Sequence, residues 1–125
     1  MQEYLRPTQI ARQIGRLLGR TVSVDLIDRL INDGSVSPAA IAGATPLFTR
    51  EQLVEVGAAL TGVDIATFRH QVRPVREAAT ALRIPPGRLR EAVDAGEVPA
   101  LSIPGGTLVH TVTVRERLAH GVPHA

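Results

Sequence analysis

Guanidinium groups are the main chemistry this sequence has to offer. All fourteen basic residues are arginine and lysine is absent. A guanidinium presents planar, bidentate N–H donors that match phosphate oxygens and the O6/N7 edge of guanine, so these side chains favour anionic surfaces. Other reactive types are sparse or badly placed. The absence of cysteine excludes disulfides and thiolate metal sites. His120 and His124 stand four apart, but Gly121 and Pro123 rule out the helix that would align them on a metal, and a frayed tail is expected there. His70 and His110 have no neighbouring acidic or cysteine cluster and are expected as surface or strand residues. No nucleophile with a base, ligand cluster or phosphate loop is recognisable, so the expectation is a non-enzyme without cofactor or metal. The three aromatics, Tyr4, Phe48 and Phe68, are too few for the stacking platforms of single-strand binders.

The chain has 125 residues, room for one ordinary domain or two very small ones. With 44% hydrophobic and 21% charged residues it belongs with globular rather than disordered chains. It contains no run of about 18 apolar residues and no charged-then-apolar leader, so a cytoplasmic protein without a membrane span is expected. Arginine without lysine is the usage of GC-rich codons and points to a high-GC bacterium or its phage. The net charge is only +2, so any electrostatic case rests on how the charges are distributed.

The elements that would carry the arginines can be read from periodicity. Ile10, Ile14, Leu17 and Leu18 form one apolar stripe of a helix opened by Pro7-Thr8. After Gly19 a turn leads to Ser23, a good N-cap, and Val24, Ile27, Leu30 and Ile31 make a second stripe that stops at Asp33-Gly34. The spacing of Gly15 and Gly19 fits close packing or helix termination. Residues 35–48, punctuated by Pro38, Gly43 and Pro46, suggest a loose hairpin. Thr49-Arg50-Glu51-Gln52 reads as a capping box for a third helix.

The same order then returns. Val75, Ala78, Ala79 and Leu82 form a stripe, Pro85-Pro86 turn and open a helix, and Leu89, Ala92 and Val93 face inward until Ala95-Gly96 stops it. VPALSIPGGTLVHTV predicts a hairpin with Gly105-Gly106 at its tip, and Arg115-Glu116-Arg117-Leu118 a last helix capped by Thr113 with Glu116. The offset is roughly 62 to 65 residues, so one module occurs twice: residues 1–61 and 74–125, with 62–73 as an ordered connector containing Ile65 and Phe68.

The second unit, VREAATALRIPPGRLREAVDAGEVPALSIPGGTLVHTV, resembles the excisionase and MerR-type winged helix-turn-helix, and the first, IARQIGRLLGRTVSVDLIDRLINDGSVSP followed by LFTREQL, is similar to the same module in a more MerR-like form. The resemblance implies a mainly α fold with short β-hairpin wings, arranged as tandem winged helix-turn-helix modules. It also implies double-stranded DNA as partner, with the second helix of each module in the major groove and the wing on the backbone. Carried over, the reading positions of the second module are Gly87, Arg88 and Arg90 with Glu91 beside them, and Gly105, Gly106 and Thr107 form the wing tip. Arg76 and Arg83 add cations before that helix. The first module offers Ser23, Asp25, Asp28 and Arg29, with Arg12 and Arg16 on its first helix as possible phosphate clamps. Arg88 and Arg90 lie about 200° apart, so one is expected at bases and the other at phosphate.

Charge separates the two modules. Residues 69–97 hold six arginines against four acidic residues, whereas residues 35–68 hold one against three, and Asp25, Asp28 and Asp33 outnumber Arg29 on the first recognition helix. The second module is therefore the stronger DNA candidate. Each cation also has a plainer explanation: Arg90 can pair with Asp94 at i, i+4, and Arg12 and Arg16 can simply mark a solvent face. The expected roles are a repressor-type regulator or an excisionase-like factor, with two modules covering a site of two unlike halves and no small-molecule effector. The rival is a protein-interaction module that keeps the fold without binding DNA, for example a phage product that captures a host factor, and self-association is also open.

Overall fold

The computed structural model describes residues 4–121. Among them are seven helices and two small antiparallel sheets. The elements are β1 (Tyr4–Leu5), α1 (Pro7–Leu18), α2 (Val24–Asn32), β2 (Ala40–Ala42), β3 (Thr45–Thr49), α3 (Gln52–Thr61), α4 (Ile65–Gln71), β4 (Val72–Pro74), α5 (Val75–Leu82), α6 (Pro86–Asp94), β5 (Leu101–Ile103), β6 (Gly106–His110) and α7 (Thr111–Gly121). Two compact units result: residues 1–15 with 21–69, and residues 16–20 with 70–125.

The apolar stripe of α1 is buried, Ile10 and Ile14 in the first unit and Leu17 and Leu18 in the second, and α2 contributes Ile27 and Leu30 to the first. Ser23 caps α2 as expected, its Oγ accepting from the Leu26 N–H at 3.3 Å. The hairpin β2–β3 gains a third strand, β1, giving the order β1-β3-β2 with Leu5 opposite Phe48. Only half of the expected capping box at Thr49 forms. Gln52 Oε1 accepts from the Thr49 N–H at 3.0 Å, while the residue at the cap, Glu51, makes no side-chain cap bond. The first turn is instead tightened, with Leu53 and Val54 donating to carbonyls three residues back.

Residues 62–73 are more structured than a connector. Gly62, left-handed at φ 73°, ends α3, and Asp64 starts α4 by accepting from the Thr67 N–H at 2.7 Å. Those bonds hold the Asp64 carboxyl below its ordinary value. Phe68 of α4 is fully buried, and its ring lies where a Cβ on Gly57 of α3 would be. α4 thus packs into the first core, and β4 follows it without a gap.

The second unit repeats the plan with sheet order β4-β6-β5. Its core gathers Val75, Ala78 and Ala79 of α5, Leu89 and Ala92 of α6, Val98, Val109 and Val114. The repeat extends to individual hydrogen bonds. The N–H groups of Leu26, Ile27, Asp33, Gly34 and Val36 donate to the carbonyls of Ser23, Ser23, Arg29, Ile31 and Leu30. Those of Arg88, Leu89, Ala95, Gly96 and Val98 donate to Pro85, Pro85, Glu91, Val93 and Ala92, each partner 62 residues further on. Gly34 (φ 81°) and Gly96 (φ 77°) both take the left-handed conformation. One structural residue fewer separates Val98 from its hairpin, so the hairpins match at an offset of 61, Ala40–Ala42 on Leu101–Ile103.

α7 starts earlier than the sequence suggests, at Thr111 rather than near Arg115. Thr113 therefore lies inside the first turn and does not cap it; its hydroxyl goes to His110 at 2.8 Å. Within this unit Gly19, at φ 71° just past the end of α1, fills the termination and close-packing roles its spacing suggests: a Cβ there would come 2.7 Å from Pro99 Cγ, and its carbonyl accepts from Arg117 Nη2 at 2.8 Å.

Candidate nucleic-acid interface

α6 is short and strongly two-sided. Pro86 sits at its first position, where a missing N–H costs nothing and φ is already set, and Pro85 precedes it without a side-chain cap bond. Leu89 and Ala92 are buried, which turns Gly87, Arg88, Arg90, Glu91 and Asp94 outward, and all five are exposed. Neither Arg88 nor Arg90 has a side-chain hydrogen bond or ion pair among the described residues, and the local Arg90–Asp94 pair does not form.

Other cations of this unit divide into engaged and open. Arg73 donates through Nε to the His70 carbonyl at 2.8 Å and lies 3.9 Å from Glu77, and Arg117 is held by Gly19. Arg76 and Arg83 are exposed without a side-chain partner among the described residues. Arg83 terminates α5 at φ 58°, the one non-glycine residue among those described with a left-handed backbone. Taken over its residues, the second unit carries nine arginines against five acidic residues, a net +4, and the first carries five against seven, a net −2.

The β5–β6 turn is Pro104-Gly105, with Gly105 at φ 96°; of the expected tip residues only Gly105 lies there, since Gly106 and Thr107 open β6 opposite Ile103 and Ser102, and Gly105 and Gly106 are exposed while Thr107 is half-buried. Neither hairpin bears a charged side chain. In the first unit Asp25, Asp28 and Arg29 are exposed on α2 and Ser23 is committed to its cap. Arg12 and Arg16 are exposed one turn apart on α1, on the same side of the helix. Asp33 is occupied locally, accepting from the Ser35 N–H at 2.8 Å, and bonding to Ser35 lowers its pKa.

The shared backbone aligns the outward positions. Arg88 stands where the first unit has Leu26, Arg90 where it has Asp28, Glu91 where it has Arg29, and Gly87 where it has Asp25. The face that is basic in α6 is apolar and acidic in α2.

His110 is the polar feature that periodicity missed. It ends β6 almost wholly buried, with Nε2 at 3.0 Å from Gln71 Oε1 and Nδ1 at 2.8 Å from Thr113 Oγ1. The amide oxygen can only accept, which places the proton on Nε2 and leaves Nδ1 to accept from the hydroxyl. Burial, aided by Arg20, lowers the imidazole pKa against the pull of Glu116. Its three-residue spacing to Thr113 was visible; Gln71, 39 residues away, was not. His120 and His124 fall outside the residues whose side chains are described. Among the described residues no group of His, Asp or Glu could hold a metal, and no helix is long and apolar enough to cross a membrane.

No protein family, no curated protein and no solved structure matches this chain.

Proposed function

We propose that the chain is a double-stranded DNA-binding regulator built from two winged helix-turn-helix modules, and that the second unit carries the DNA contact. The observation behind this is the outer face of α6: Arg88 and Arg90 exposed and unpaired on a helix whose other side is locked into the core by Leu89 and Ala92. A groove-reading helix needs that anchoring, because base recognition depends on side chains presented from a rigid element. Arg76 on the preceding helix and Arg83 at its C-cap are available for flanking phosphates, and Gly105 at the hairpin turn, with Gly106 beside it at the start of β6, lets backbone approach the sugar–phosphate chain. The unit's net +4 favours association with a polyanion. The role that fits is a repressor-type regulator or an excisionase-like architectural factor.

Fluorescence anisotropy with a labelled duplex over a salt series tests this. Affinity should fall steeply and log-linearly as salt rises. Arg88→Ala and Arg90→Ala should each cost about 1–3 kcal/mol if the side chain meets a base, or weaken all sequences equally and lower the salt slope by about 1 if it meets a phosphate. Affinity for duplex that is absent at low salt, or indifferent to both substitutions, refutes the assignment.

A further inference from the structure

We infer that the first unit is a protein-docking module, and that the groove between α2 and the β2–β3 hairpin receives a basic amphipathic segment of a partner protein. This goes beyond the DNA reading of the second unit and does not depend on it.

The groove has a volume of about 370 Å³ and is lined by Ile31, Pro38, Ile41 and Pro46 together with Asp28, Asn32 and Ala44. Ile41 leaves 67% of its surface in solvent, beside the other apolar residues that line the groove. Asp28 has no ion-pair partner among the described residues. The comparison with the second unit shows that these features are not demanded by the backbone. At positions matched by hydrogen bonding, Leu26 and Asp28 replace Arg88 and Arg90. On the outer strand of the hairpin, Ile41 replaces Ser102. One scaffold thus carries a cationic face in one copy and an apolar, acidic face in the other.

The occupant follows from complementarity. Polyanions are repelled by a unit of net −2 that exposes Asp25 and Asp28 on α2 and Asp33 at its C-cap. A second copy of the chain offers no anchor from its basic half, because the exposed large apolar side chains among the described residues, Tyr4, Ile41 and Ile65, all belong to the first unit. A partner segment with leucine-type anchors at helical spacing and flanking arginines supplies both an apolar filling for the groove and a cation for Asp28.

The test uses the full-length protein and a fluorescein-labelled peptide of about 14 residues, with leucines at i and i+4 flanked by arginines, beside a version with glutamate in place of each arginine. The arginine peptide should bind at low salt and the glutamate version at least about tenfold more weakly. Asp28→Arg and Ile41→Ser, both at exposed positions, should each weaken the arginine peptide by about tenfold, while the melting temperature stays unchanged in both and duplex affinity stays unchanged in Ile41→Ser. In two-dimensional amide NMR spectra the peptide should shift residues 28–46. The proposal is overturned by equal binding of the two peptides, by no binding, by shifts centred elsewhere, by insensitivity to both substitutions, or by a dimer in sedimentation that Ile41→Ser dissociates. Loss of duplex binding alone would count against the second unit's assignment and leave this one standing.

Discussion

Arg83 illustrates how single positions in this protein can carry cost and use together. A side chain at φ 58° is less stable than glycine by roughly 1 kcal/mol or more, since its Cβ crowds the following carbonyl. Past the end of α1 it is Gly19 that takes the same left-handed step. Arg83→Gly should therefore raise stability by about 0.5–1 kcal/mol once the extra freedom of glycine in the unfolded chain is deducted, measurable as the urea midpoint. If Arg83 meets a phosphate, the same variant loses about one unit of the salt slope of duplex binding, so a more stable protein should bind less tightly. His110 gives a second prediction. Its folded-state pKa lies below the ordinary 6.5 because burial disfavours the charged ring. Below pH 6.5 the unfolded chain takes up a proton that the native ring resists, so stability is full above that pH and falls as pH drops towards the native value. Denaturation at pH 7 and pH 5 should show the loss, and His110→Gln should flatten it.

Helices and hairpins were legible because each announces itself within about ten residues: the stripe of α1, the Ser23 cap, the Gly34 and Gly96 stops, the Pro86 start and the Gly105 turn all stand where periodicity and turn chemistry place them. What stayed hidden depends on distant partners. β1 has two residues and β4 three, and each is a strand only because β3 or β6, more than thirty residues later, offers a free edge. α4 was within reach, since Gly62 and Asp64 are stop and start signals two residues apart, but its seven residues are too short for a stripe to show. The start of α7 was misplaced because the first turn is fixed by Thr113 bonding to His110, a side-chain choice that leaves no periodic trace. The outward face of α6 could be read in advance from the inward one, since Leu89 dictates where Arg88 and Arg90 point; the pairing state of those arginines could not. At this scale Gly57→Ala is the informative change. Alanine improves helix propensity, yet its methyl group would meet the Phe68 ring, and with both residues buried the net cost should be about 1–3 kcal/mol, seen in thermal melting.

The whole chain carries two copies of one backbone, with charge on opposite sides of neutrality. The matched positions make a gain-of-function experiment possible. Leu26→Arg with Asp28→Arg writes the α6 pair onto α2 without touching the buried Ile27 and Leu30. The double variant should bind duplex DNA more tightly than the parent and lengthen its footprint beyond the roughly 10 bp expected of one module. An unchanged footprint would mean that features beyond these two side chains, such as the acidic neighbours Asp25 and Asp33, govern the first unit.

Five hydrogen bonds coincide across the repeat, yet between residues 23–36 and 85–98 only the glycine and the final valine are identical. Tandem domains with the same topology risk exchanging equivalent hairpins while both are still unfolded on one chain, a trap that grows with their likeness. Here divergence works against that error. A hairpin lodged in the wrong half would set the buried Leu101 where the smaller Ala40 belongs and Ala40 in the place of Leu101, overfilling one core and leaving the other hollow. The two halves can therefore condense side by side and still sort their own strands.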